Sequence, residues 1–281
     1  LLILQLSIVY FFAGYAKLDS DWLLRAMPLA VWLPAKADLP VLGAFFQYSW
    51  MPYAFSWAGA FYDLTIPFFL LNRHTRPFAY GAVVLFHTLT RLLFNIGLFP
   101  FIMIFNTLIF FPAAQHERWL RPLGYRPGEG EKRIYRYGSA GRRVLALLLA
   151  AYLLLQVALP FRYLFYPGNV LWTEEGYRFS WRVMLVEKAG HAVFTVHDPA
   201  SGRSSEVDNS EFLTPFQEKQ MAIQPDLMLQ YARFLAAEYE RRYDINDPAV
   251  TVDSWVALNG RASRRLIDPA VNLAAERDGL A

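Results

Sequence analysis

Residues 1–23 read LLILQLSIVYFFAGYAKLDSDWL: an almost purely apolar run, 1–16, ends abruptly in Lys17, Asp19 and Asp21. A run of that character reads as the end of a membrane helix, since spanning a bilayer takes about 20 mostly apolar residues. Helical spacing puts Tyr10, Ala13, Gly14 and Lys17 on one face. That stripe has a polar tip, two small residues and an amine. The small residues leave room for a flat ligand or for a second helix to approach closely. The amine has two readings as well: an anchor that snorkels to the interface, or a base kept in apolar surroundings.

Composition supports a membrane protein. Of 281 residues, 55% are hydrophobic, 17% aromatic and only 18% charged, whereas a soluble domain is about one quarter charged. The net charge of +3 is small and spread out. No basic run interleaved with aromatics suggests nucleic acid as a partner. Cysteine is absent, which removes disulfides, thiolate metal sites and a cysteine nucleophile but assigns no redox compartment. The opening run has no basic stretch before it and no A-x-A-like site after it, so it does not read as a signal peptide. Further helices are expected upstream of Leu1.

Five stretches are candidate spans: 1–16, 52–71, 77–95, 97–113 and 144–161. NIGLFP (95–100), with Gly97 and Pro100, predicts a tight hairpin between the third and fourth. WLLRAMPLAVWLP, at the start of 17–49, predicts a short helix lying in the interface. The connection 114–143 carries eight Lys/Arg, namely Arg118, Arg121, Arg126, Lys132, Arg133, Arg136, Arg142 and Arg143, and the loop 72–76 adds Arg73 and Arg76. The opposite side has Lys17, Arg25 and Lys36. The positive-inside rule then makes 114–143 cytoplasmic and places Lys17 and residues 162–281 outside.

After FRYLFYPGN the charges become interspersed. HAVFTVHD (191–198) and VTVDSWVALNG (250–260), the latter ending in an Asn-Gly turn, read as strands. DLMLQYARFLAAEYERRY (226–243) reads as one amphipathic helix. The expected fold class is therefore a polytopic α-helical membrane bundle, 1–161, followed by an extracytoplasmic β-rich soluble domain, 162–281, with one or two helices.

Three polar positions inside the spans stand out. Asp63, in AFYDLTIPFFLL, is costly in a bilayer and faces a bundle interior or polar cavity, either bonding another helix or serving function. Pro67, one turn on, frees a carbonyl there. His87 and Arg91, at i and i+4 in LFHTLTRLLFNIG, predict a polar stripe facing a cavity. No further His, Asp or Glu follows at metal-ligand spacing, so no metal is expected. No G-x-S-x-G, P-loop or G-x-G-x-x-G is present, and GEGEK (128–132) lacks the required spacing. Spacing alone thus supports a membrane protein with a polar interior near its outer face.

YFFAGYAKLDSDWL (10–23), FYDLTIPFFLL (61–71), FHTLTRLLFNIGLFPFIM (86–103), EEGYRFSWRVML (174–185) and ALNGRASRRLIDPAVNLA (257–274) resemble, in order, segments of the vitamin K-dependent γ-glutamyl carboxylase family. The resemblance includes the family's bacterial homologues with the same transmembrane module. It implies a helical membrane domain joined to a β-rich lumenal or extracellular domain. It also implies oxidation of a reduced vitamin K or menaquinol-type hydroquinone by oxygen, coupled to γ-proton removal from a peptide glutamate and uptake of carbon dioxide. Lys17 stands where the family has the base that deprotonates the hydroquinone, and a base must be neutral to accept a proton, which desolvation favours. Tyr10, Gly14, His87 and Phe99 are the implied hydroquinone-binding residues. Tyr177 and Trp181, in GYRFSW, are the implied contacts to the glutamate substrate; read as a pattern, Tyr177, Phe179 and Trp181 are equally one face of a strand. The family's essential histidine precedes the lysine motif and is expected upstream of Leu1.

Two function classes follow: a quinol-dependent glutamate carboxylase, or a non-carboxylating quinone- or lipid-binding membrane protein of the same fold. A transporter is disfavoured, because neither an inverted repeat nor a pair of broken helices is evident.

Overall fold

The computed structural model describes residues 1–125 and 137–277. Arg126, Lys132, Arg133, Arg136 and the GEGEK stretch lie outside the described residues. The chain divides into two compact units, Leu1–Leu185 and a second from Val186 onward.

The first unit is helical. Its elements are α1 (Leu2–Ala16), α2 (Ser20–Arg25), α3 (Leu29–Trp32), α4 (Met51–Leu71), α5 (Arg76–Leu93), α6 (Phe99–Thr107), α7 (Ala113–Leu120), α8 (Ser139–Ala158) and α9 (Val170–Thr173). α1 stops where its apolar run stops, at Lys17. Asp19 then caps α2 by accepting a hydrogen bond from the Asp21 amide. α1 and α4 approach closely at Gly14, where an added Cβ would stand 2.7 Å from both Cγ and the backbone nitrogen of Leu64. Of the two uses open to a small residue there, the structure realises helix packing. Pro67 lies inside α4, so the Asp63 carbonyl has no amide four residues on to bond.

Among the described residues, two helical stretches are long and apolar enough to cross a bilayer, Met51–Leu71 and Ser139–Phe165. The number rises to four if two bent pairs each count as one span: Leu2–Ala16 with Ser20–Lys36, bent by 62°, and Phe99–Phe110 with Ala113–Leu123, bent by 116°. The expected third span is a helix, α5, but Arg76, His87 and Arg91 lower its apolar character. The expected fourth span, 97–113, is shorter than its apolar run. α6 and a 3₁₀ turn end at Phe110, about 18 Å of helix at 1.5 Å per residue, before Pro112 interrupts the chain. The turn between α5 and α6 uses Gly97 at φ +61, a left-handed conformation that glycine adopts without strain.

Residues 174–185 belong to this first unit and form no strand. Glu174, Phe179, Trp181 and Met184 take φ values of 61, 61, 57 and 61, which break the two-residue alternation a strand requires. Phe179 is exposed while Trp181 packs against the core formed by α1, α4, α5 and α6.

The second unit is a four-stranded antiparallel sheet of order β2-β1-β3-β4. Its strands are β1 (Lys188–His197), β2 (Ser204–Glu206), β3 (Ala249–Leu258) and β4 (Arg264–Arg265). β1 and β3 pair over their full lengths, from Lys188 opposite Leu258 to His197 opposite Ala249. Alternation sends Ala192, Phe194 and Val196 of β1 and Val250 and Val252 of β3 to one buried face. α10 (Pro215–Met221) and α11 (Pro225–Tyr243) cover that face, with Met221, Met228, Tyr231 and Leu235 in the same core. α10 begins with a capping box between Thr214 and Gln217. β3 ends at Asn259 and Gly260, φ 48 and 69, the left-handed pair of an Asn-Gly turn.

Candidate functional site

The helical unit holds a narrow pocket with about 800 Å³ of open space, adjoining solvent included. α1 contributes Tyr10, Ala13 and Lys17; α4 contributes Gly59 and Asp63; α5 contributes Phe86, His87 and Thr90; α6 contributes Phe99 and Met103. Trp181, Val183 and Met184 line it as well. Most of the wall is aromatic or aliphatic, and the polar groups concentrate at two points.

The first point is Lys17. Its Nζ donates to Asp63 Oδ2 at 2.7 Å and to the Ala13 carbonyl at 3.3 Å. The Lys17 and Asp63 side chains are 8% and 7% exposed, so Lys17 does not snorkel. It turns inward to an ion pair with Asp63 from the neighbouring helix. The amine also lies 5.5 Å from the Trp22 ring centroid, within cation–π range. Trp22 is fixed in turn: its Nε1 donates to the Ser56 carbonyl at 2.7 Å, and the Ser56 hydroxyl donates to the Trp22 carbonyl. These bonds hold α2 against α4 beside the pair.

The second point is His87, 3% exposed. The Thr107 hydroxyl donates its single hydrogen to the Met103 carbonyl at 2.7 Å. It can therefore only accept from the Tyr10 hydroxyl, 3.2 Å away. Tyr10 then accepts from His87 Nε2 at 3.3 Å. This network assigns the Nε2–H tautomer and leaves Nδ1 as a bare acceptor. Nδ1 is buried and has no hydrogen-bond partner among the described residues. Phe99 meets the imidazole edge-on, with centroids 6.1 Å apart, and Phe86 stacks on Tyr62 at 4.1 Å. Arg91, expected beside His87, is exposed; Thr90 takes the next place in the lining.

Six residues singled out from the sequence therefore meet in one cavity: Tyr10, Lys17, Asp63, His87, Phe99 and Trp181. Gly14 faces Leu64 instead. Tyr177 lies outside the lining, and burial, with Glu174 adding to it, pushes its phenol up to about 12. Asp63 was conspicuous in the sequence, but nothing there joins it to a lysine 46 positions away. Thr107, which sets the polarity of Tyr10 and His87, has no sequence signal at all. Among the described residues no group of three or more His, Asp or Glu stands together as a metal centre would require.

Comparison with known families gives two matches. The model of the HTTM domain matches residues 1–114, and that of the vitamin K-dependent gamma-carboxylase lumenal domain matches residues 141–281. No solved structure matches the chain.

Proposed function

Because the chain belongs to the vitamin K-dependent gamma-carboxylase family, we propose that it is a membrane enzyme coupling hydroquinone oxidation by oxygen to carboxylation of glutamate in a protein or peptide. The observation that carries this reading is the buried Lys17–Asp63 pair facing a largely apolar cavity. The lining of that cavity suits the chemistry of a reduced vitamin K or menaquinol-type ring. Aromatic walls suit a flat apolar body, and the unpaired His87 Nδ1 suits a hydroxyl donor. When bound, the hydroquinone supplies the reducing electrons and, with oxygen, the strong base that carboxylation requires.

The residues of the chain have separate tasks. Tyr10, held by Thr107, fixes the His87 ring so that Nδ1 accepts a hydroxyl hydrogen. Phe99 and Trp181 bound the ring and keep water out. Lys17 takes the proton from a hydroxyl. Asp63, whose Oδ2 lies 2.7 Å from Nζ, is placed to receive a proton from Lys17, which would leave the Lys17 lone pair open. Tyr177 remains a candidate contact to the glutamate peptide.

The family association with membranes and a lumenal domain fits a multi-pass protein whose C-terminal unit is extracytoplasmic. The Lys/Arg distribution supports the same orientation. A buried ion pair is also what a purely structural lysine makes, which favours the second reading, a non-carboxylating quinone- or lipid-binding protein. Lys17→Arg separates the two. Arginine keeps the charge beside Asp63, yet a guanidinium cannot accept a proton at working pH. The variant is expected to fold and to lose hydroquinone oxidation and carboxylation together, by about 100-fold or more. Near-normal turnover would leave Lys17 as a structural residue.

A further inference from the structure

Thr107 is fully buried and lies outside the lining of the pocket, yet it decides which hydrogen-bonding groups one wall can offer. The relay that starts there runs one way only. The Met103 carbonyl can only accept, so the Thr107 hydroxyl gives its hydrogen to that carbonyl at 2.7 Å. Tyr10 then gives its own to Thr107, and His87 Nε2–H gives to Tyr10. The relay ends at Nδ1, a buried lone pair on a side chain that lines the pocket.

Neighbouring donors are spent as well. The Thr90 hydroxyl, three residues on from His87 in α5 and also in the lining, donates to the His87 carbonyl at 2.9 Å. The Trp22 Nε1–H goes to the Ser56 carbonyl. Lys17 gives two hydrogens, to Asp63 and to the Ala13 carbonyl, and keeps a third; the Trp181 indole is a donor too. The α5 side of the lining therefore offers acceptors, Nδ1 and the Thr90 oxygen, and the hydrogens come from Lys17 and Trp181. The two redox forms of a hydroquinone differ on this point, since the reduced ring carries hydroxyls where the oxidised ring carries carbonyls. A hydroxyl that meets Nδ1 makes a hydrogen bond. A carbonyl oxygen there sets lone pair against lone pair and leaves a buried acceptor unpaired.

We propose that Thr107, acting through Tyr10 and His87, makes this pocket select the hydroquinone over its oxidised quinone. The inference rests on the carboxylase reading above and adds the residue that sets redox specificity. Thr107 is a positioning residue: it fixes the direction of the relay, and with it the ring nitrogen of His87 that carries hydrogen. Thr107→Val keeps the shape of the side chain and removes the acceptor. The Tyr10 hydrogen then turns to His87 Nε2, 3.3 Å away, and the ring hydrogen moves to Nδ1. That change converts a place for a hydroxyl into a place for a carbonyl. An oxidised ring has lost the hydrogen that Nδ1 accepts, so the native relay also weakens the hold on product.

The test measures binding of reduced vitamin K and of its quinone to the full chain in nanodiscs, without oxygen or peptide so that neither is consumed. The wild type is expected to hold the hydroquinone about 10- to 100-fold more tightly than the quinone. Thr107→Val is expected to abolish or invert that preference, and Thr107→Ser, which keeps the hydroxyl, to retain it. A packing role alone would weaken both forms alike. Nitrogen NMR of protein with isotopically labelled histidines, His87 being assigned by its loss in His87→Gln, reads the tautomer directly. It should show hydrogen on Nε2 in the wild type and on Nδ1 in Thr107→Val. Equal affinity of the wild type for the two forms would overturn the inference, as would an unchanged preference in Thr107→Val or hydrogen on Nδ1 in the wild type. The wild-type measurements stand even if a variant fails to fold. Hydroquinone binding without preference would defeat this inference alone, whereas failure to bind either form would count against the function proposed above and remove this inference with it.

Discussion

Asp63→Asn removes one charge from the buried pair while keeping the side chain's shape. At 2.7 Å and an effective dielectric of about 20, the Lys17–Asp63 attraction is about 6 kcal/mol before desolvation is subtracted. With both side chains more than nine-tenths buried, losing a single partner leaves an uncompensated charge, which costs about 3–5 kcal/mol. For a unit of this size that corresponds to a fall of about 6–20 °C in melting temperature. The assay is thermal unfolding in nanodiscs of wild type, Asp63→Asn, Lys17→Met and the double variant. Removing both charges is expected to cost much less than the two single losses combined, giving a coupling of at least about 2 kcal/mol. Additivity within about 0.5 kcal/mol would refute the reasoning, because it would mean that the two groups do not sense each other.

Gly14→Val should destabilise the protein by about 1–3 kcal/mol, since the new Cβ meets the Leu64 backbone, which cannot rotate away. An unchanged melting temperature with lost hydroquinone affinity would instead make Gly14 a ligand contact. Trp181→Ala should weaken hydroquinone binding about tenfold, read by titration in nanodiscs, because its ring closes the cavity; unchanged affinity would restrict Trp181 to the peptide. Reporter fusions placed after Leu123 and after Ala281 should report opposite sides of the membrane, the first cytoplasmic. Activity of both on one side would contradict the orientation.

The elements that were legible in the sequence are those with a strong period or an abrupt change of composition. The apolar run into Lys17 gave α1 and its end, the alternation in 191–198 and 250–258 gave β1 and β3, and the stripe in 226–243 gave α11. Residues 174–185 misled because Tyr177, Phe179 and Trp181 alternate like a strand; their positive φ values depend on packing that no local pattern encodes. The fourth apolar run misled differently: its hydropathy continued to 113, but Pro112 ended the helical hydrogen bonding first. Within the site, Lys17 and His87 drew notice as polar groups in apolar surroundings, a signal any buried charge gives. Asp63 and Tyr10 drew notice as well, but their pairing did not, because the links from Lys17 to Asp63 and from Tyr10 to His87 and Thr107 cross helices and exist only once those helices have packed.

The account's central claim is tested most directly by mass spectrometry of a glutamate-containing peptide incubated with the full-length protein in nanodiscs, reduced vitamin K, oxygen and isotopically labelled bicarbonate. The account predicts labelled γ-carboxyglutamate with the wild type, none when the hydroquinone or oxygen is withheld, and none with Lys17→Arg. Hydroquinone binding without any labelled product would contradict it and make the protein a quinone-binding relative, while labelled product from Lys17→Arg would remove Lys17 from the chemistry.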